Sequence, residues 1–197
     1  MTDNHDIYAQ VTPNPNTLKF VVNTTILESG TVDFSDASLA SHSPLVEQLF
    51  AITGVDAVML GQFFISVTKT NAAAWGDLAE TVTETIKVYI KTGAAIIDAT
   101  VAKALQDAQV DEETDDDAAT EKIKQILNDE IRPAVAMDGG DVQFKSFTDG
   151  ILTLSLQGAC SACPSATFTL KMGIENRLKE DIPEIVSVVQ EGIVDPF

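Results

Sequence analysis

Gly158-Ala159-Cys160-Ser161-Ala162-Cys163-Pro164-Ser165 is the stretch on which the reading of this chain turns. Cys160 and Cys163 are the only cysteines, and their spacing lets two sulfurs converge on one point. Cys163 precedes Pro164, and the residue before a proline is pushed away from helical angles. The spacing therefore predicts Cys163 as an N-cap, Pro164 at the first helical position and a helix to about Lys179, with Ala166, Leu170, Ile174 and Leu178 on one face. Free backbone N–H groups and the positive helix end would then face the sulfurs, which lowers thiol pKa values and favours the thiolate. Gly158 and the small residues Ala159, Ser161 and Ala162 leave room for a bulky ligand.

Upstream, Leu152, Leu154 and Leu156 alternate with Thr153 and Ser155, which predicts a strand over Ile151 to Leu156 with one buried face. Thr148-Asp149-Gly150 turns it back onto a strand over Val142 to Phe147. Met137-Asp138-Gly139-Gly140-Asp141 is a turn of the kind that needs positive φ, which glycine adopts at no steric cost. Asp138 and Asp141 are expected to cap that turn and the strand start, and Met137 and Met172 to fill core. A helix over Ala119 to Arg132, buried through Ile123, Ile126, Leu127 and Ile131, is expected to stop at Pro133. Downstream, Pro183 breaks the chain and Ile185 to Val189 reads as a last strand. The order helix, hairpin, helix, strand makes residues 119–197 a small α+β domain.

The other half has its own pattern. Leu18 to Val22, Thr31 to Phe34, Val55 to Leu60 and Gln62 to Thr68 read as strands, the last two joined by a tight turn at Gly61. Ser43 and Pro44 open a helix as N-cap and first residue. Trp75 to Ile90 is helical, with Leu78, Val82, Thr85, Ile86 and Tyr89 at helical spacing, and Trp75 and Tyr89 are assigned to the core. This first α+β domain is expected over residues 1–93. Residues 94–118 are Ala-rich and then acidic; the Ala-rich part extends the helix or forms a loose second one. Residues 111–118, Asp111-Glu112-Glu113-Thr114-Asp115-Asp116-Asp117-Ala118, carry charge without an apolar face, which predicts a flexible, extended linker.

Bulk properties bound the function. The net charge of −18 over 197 residues repels phosphate backbones and speaks against nucleic acid. No run approaches the ~18 consecutive apolar residues of a membrane span. The acidic start, Met1-Thr2-Asp3-Asn4-His5-Asp6, lacks the basic and apolar regions of a secretory signal. Two cysteines with only two residues between them suit a reducing compartment rather than a disulfide framework. The expected location is the cytoplasm, or an organelle matrix if a transit peptide has been removed. The first domain shows no paired Ser/His, phosphate loop or metal-ligand set, and reads as an interaction or positioning module; the chain is expected not to be an enzyme.

Three chemistries fit the paired thiols, beside a pair of inert buried thiols, although two chance cysteines rarely fall at this spacing at a helix start. A dithiol redox centre also sits after a strand and at a helix start, but here a hairpin rather than a parallel βαβ unit precedes the motif, and no aromatic residue precedes Cys160. Zinc takes four ligands, yet the domain has one Cys pair and no histidine, since the only histidines are His5 and His42. An iron–sulfur cluster also takes four ligands, commonly all Cys. Two chains in a symmetric dimer would supply them. The local chemistry does not separate a shared zinc from a shared cluster.

Several further stretches occur in register with the loop. Leu127-Asn128-Asp129-Glu130-Ile131-Arg132-Pro133, Asp138-Gly139-Gly140-Asp141-Val142, the Cys160/Cys163 loop, Thr169-Leu170-Lys171-Met172-Gly173-Ile174-Glu175 and Ile182-Pro183-Glu184-Ile185 together resemble the C-terminal domain of the NifU/Nfu family. Residues Thr12 to about Thr92 resemble the Nfu N-terminal domain, less sharply. The resemblance implies a scaffold or carrier that binds a [4Fe–4S] cluster between the Cys160 and Cys163 pairs of two protomers and passes it to apo-proteins. Its implied partners are an upstream cluster-assembly scaffold, apo iron–sulfur proteins and, when loaded, a second copy. The Ser161-Ala162 filling departs from the glycines common in the family, but both residues are small.

Overall fold

The computed structural model describes residues 7–109, 118–161 and 164–191, with backbone alone for 109 and 164–169. The chain divides into two compact α+β units, residues 1–106 and 107–197. The expected linker residues 111–117 lie outside the described residues.

The first unit contains β1 (Tyr8–Val11), β2 (Thr17–Val21), β3 (Val32–Phe34), α1 (Pro44–Phe50), β4 (Val55–Leu60), β5 (Phe64–Lys69), α2 (Trp75–Lys91) and all but the last three residues of α3 (Ala99–Gln109). Its strands form an antiparallel sheet in the order β1-β2-β5-β4-β3. Gly61 closes the β4–β5 hairpin, donating its N–H to the Phe64 carbonyl at 2.8 Å. Trp75 packs edge-on against Phe20 and donates Nε1–H to the Pro15 carbonyl. Tyr89 is buried and its hydroxyl reaches the Ala95 carbonyl.

Ser43 caps α1 through a hydrogen bond from the Val46 N–H. The same hydroxyl donates to the Ile96 carbonyl at 2.6 Å. That bond draws the chain back past the end of α2, and Ile96, Ile97 and Ala102 are buried in the first core. The expected boundary near Gly93 therefore falls short of the packed core. The Ala-rich segment forms a separate helix, α3, rather than an extension of α2.

The second unit contains α4 (Ala118–Ile126), a π turn (Leu127–Ile131), α5 (Arg132–Met137), β6 (Gly140–Thr148), β7 (Ile151–Gly158), α6 (Pro164–Asp181) and β8 (Ser187–Gln190). The β6–β7 hairpin is antiparallel, and α6 carries the chain over to β8, which pairs parallel to β7. Asp149 and Gly150 both take positive φ, 52° and 79°, the backbone of the tight Asp-Gly hairpin turn. Ile123, Leu127, Val142, Leu152, Leu154, Ile174 and Leu178 close the core.

Two expectations fail here. Pro133 does not stop the helix: it stands in the first turn of α5. The preceding π turn admits it, because the Arg132 N–H bonds to the Leu127 carbonyl five residues back. The widened turn absorbs the proline ring and its missing donor. Met137 and Met172 are not core residues either, at 76% and 49% exposed. Met137 ends α5, and Met172 lies on the side of α6 away from Ile174 and Leu178.

Candidate metal centre

The last residue of β7, Gly158, has φ 59° and sends the chain into the cysteine loop. Backbone bonds fix that loop on one side. The Ala159 N–H reaches the Gly139 carbonyl at 3.1 Å, and the Cys160 N–H reaches Gln157 at 3.3 Å. Ser161 donates both its N–H and its hydroxyl to the Gly158 carbonyl. Cys160 is thereby turned inward, 9% exposed, among the apolar residues of the second core.

The two glycines of the Asp138-Gly139-Gly140-Asp141 turn have different physical reasons. Gly139 takes φ 77°, as the sequence predicts. Gly140 is not in the positive-φ region. It pairs with Gly158 across the hairpin, and a methyl group placed on it would overlap the Cys160 Sγ and press within 3.0 Å of the Gln157 carbonyl oxygen. Bare backbone at Gly140 is the seat of the Cys160 sulfur.

That seat reverses the sequence expectation for the Cys160 thiol. Burial, then the Asp138 carboxylate, then Asp141 push its pKa up to about 12. In the unloaded chain Cys160 is a neutral thiol near neutral pH, and binding a metal there displaces its proton. Cys163 and Ala162, with the predicted N-cap, lie outside the described residues. Among the described residues no group of three or more His, Cys, Asp or Glu side chains is placed to hold a metal ion.

Sequence reasoning missed the side chain that braces this seat. Asp141 is buried, and Arg132 grips it with two bonds, Nε to Oδ1 at 2.8 Å and Nη2 to Oδ2 at 2.7 Å. Asp141 Oδ1 also accepts the Val142 N–H at 2.8 Å, so it serves the strand start as expected. Asn128 Oδ1 accepts from Arg132 Nη1 at 3.1 Å, and the bonds to Asp141 raise the Arg132 pKa further. The available signal was an acid directly after the Gly-Gly pair with an arginine nine residues before it. A second bidentate pair, Arg177 to Glu130, joins α6 to the π turn.

The chain thus has two α+β units, the second carrying Cys160 and Cys163 between a hairpin and a helix. Comparison makes the assignment specific. The family model described as "Scaffold protein Nfu/NifU N terminal" matches residues 7–93, and that described as "NifU-like domain" matches residues 123–189. The human "NFU1 iron-sulfur cluster scaffold homolog, mitochondrial" is 43% identical over 185 residues, covering 93% of this chain and 71% of that protein. The Drosophila willistoni protein of the same name is 40% identical, covering 93% of this chain and 63% of its own length. The solution structure of a NifU-like protein from Saccharomyces cerevisiae aligns at 24% identity and a TM-score of 0.43, over 49% of this chain and 89% of that one. The chain belongs to the Nfu/NifU family.

Proposed function

We propose that this protein is an iron–sulfur cluster scaffold and carrier. It holds a [4Fe–4S] cluster between the Cys160 and Cys163 pairs of two copies and releases it to apo-proteins. The observation that carries the reading is the Cys160 loop, seated on bare backbone at Gly140, in a chain 43% identical to a human protein named as an iron–sulfur cluster scaffold. Two thiols per chain leave a four-ligand cluster half held, and a second copy completes it.

The cluster is cargo, and the site is suited to temporary tenure. Cys160 must leave a buried, neutral resting state to bind, which works against the loaded form. Thiolates of a receiving protein replace Cys160 and Cys163 one after another, and Cys160 returns to its seat. No catalytic role is assigned to the protein. The first unit acts as an interaction or positioning module. The relatives are named mitochondrial, which favours an organelle matrix over the cytoplasm. No described helix is long and apolar enough to cross a membrane.

The test is anaerobic reconstitution of the full chain with iron and sulfide, beside Cys160→Ala and Cys163→Ala. A brown protein that passes its cluster to an apo-ferredoxin, with both variants colourless, supports the reading. A colourless protein holding one zinc per two chains would move it to a zinc-bridged interaction protein. Metal-free turnover of disulfides would make it a redox protein.

A further inference from the structure

The second unit spends a buried ion pair beside its cysteine loop, and the placement of that pair is informative. Asp141 is buried, and Arg132, itself partly covered, fills both of its oxygens in fork geometry. A buried pair of this kind is weak evidence for stability, because taking both charges out of water offsets their attraction. What the pair does fix is the position of Asp141. Asp141 directly follows Gly140, and Gly140 is the surface on which the Cys160 sulfur rests. Asp141 also pairs with Gln157 and Gly140 with Gly158, the two residues that lead into the loop.

The helix upstream is bent to the same end. The π turn at Leu127–Ile131 adds a residue to the helical repeat immediately before Arg132. One residue turns a helical side chain by about 100°, so without the extra residue Arg132 would project to another side of the helix than the one that meets Asp141. Such turns recur at functional sites. Asn128, one turn back, holds the far side of the guanidinium.

We propose that Arg132 is a positioning residue for cluster binding. It touches neither the cluster nor a thiol. By clamping Asp141 it holds Gly140 in place, and so sets where the Cys160 sulfur rests and how readily it leaves. It also offsets the charge of Asp141, one of the two carboxylates that act on Cys160. Lysine cannot replace it, since an ammonium lacks the planar fork that fills both Asp141 oxygens.

The inference rests on the carrier reading, so it is tested by two readouts, of which one needs no cluster. Arg132→Lys and Arg132→Gln are compared with the unaltered full chain, all checked for folding by circular dichroism. The first readout is loss of the reconstituted cluster to a chelator, with its visible circular dichroism. We expect both variants to lose the cluster about tenfold faster or more, the usual cost of disturbing a residue behind a metal ligand, with a changed visible spectrum. The second readout is alkylation of Cys160 by iodoacetamide in the unloaded Cys163→Ser background, which we expect to rise several-fold in both. Arg132→Lys guards against a folding defect, because it keeps the charge. Wild-type alkylation and wild-type cluster loss in a folded Arg132→Lys protein would overturn the proposal. Faster alkylation in the variants of a chain that takes up no cluster, altered or not, would keep the seating of Cys160 by Arg132 but overturn the carrier reading, and with it the role in cluster binding.

Discussion

Gly140 and Cys160 lie so close that a methyl group on the first would overlap the sulfur of the second. The contact ties the strand start to the cysteine loop, and it makes Gly140 the most restrictive position next to the site. Gly140→Ala is predicted to displace Cys160 or to shift β6 against β7. Overpacking of this kind costs about 1–3 kcal/mol, which urea unfolding will read, and the same variant should fail to retain a reconstituted cluster.

Burial of Cys160 predicts a particular alkaline behaviour. Its pKa is raised from 9.0 to about 12 in the folded chain. The stability linked to it is fully present below pH 9, where both folded and unfolded chains carry the proton. As pH rises from 9 towards 12 the unfolded chain loses the proton first, and stability falls. Urea midpoints of the unloaded protein at pH 8, 9 and 10 should therefore drop more steeply for wild type than for Cys160→Ala. Equal slopes would mean that the thiol is not protected.

The π turn can be tested by shortening it. Deleting the exposed residue Asp129 restores the ordinary helical repeat and swings Arg132 away from Asp141. A buried carboxylate left without its partner costs about 3–5 kcal/mol. The deletion should therefore destabilise the second unit far more than Asp129→Ala, which leaves the turn intact.

The Glu130–Arg177–Asp181 cluster predicts an acid dependence. Hydrogen bonds from Arg177 hold the Glu130 and Asp181 carboxyls below their usual range. Depressed carboxyl pKa values add stability above the unfolded values of 4.5 and 3.8, and it is lost as pH falls through the folded ones. Arg177→Gln should accordingly lower the thermal midpoint at pH 7 and make little difference at pH 3. The groups are solvent-exposed, so the effect at pH 7 should be small and should shrink in high salt.

Much of the fold was legible because local signals agreed with the packing. Leu152, Leu154 and Leu156 alternate as a half-buried strand must, Ser43-Pro44 opens a helix, and Asp149-Gly150 turns a hairpin. Pro133 misled because a proline reads as a stop, while the π turn before it leaves room for it in the first turn of the next helix. Met137 and Met172 misled because residue type says nothing of which helix face is turned outward. The first core runs past Gly93 through a long-range bond from Ser43 to Ile96, a contact that no local window contains. At the site, the Cys160 loop was plain in the sequence. Its inward turn and neutral thiol were not: the first goes with backbone bonds to Gly139 and Gln157, and the second follows from burial beside Asp138 and Asp141.

The most direct test of the carrier account is the mass and metal content of the reconstituted full chain, measured together by size-exclusion chromatography with light scattering and by iron and sulfide assay under anaerobic conditions. The account predicts that iron-loaded protein elutes at the mass of two chains with about four irons and about four sulfides per pair, and that removing the iron with a chelator returns it to single chains. An iron-loaded species with the mass of one chain that keeps its metal in excess chelator would contradict it.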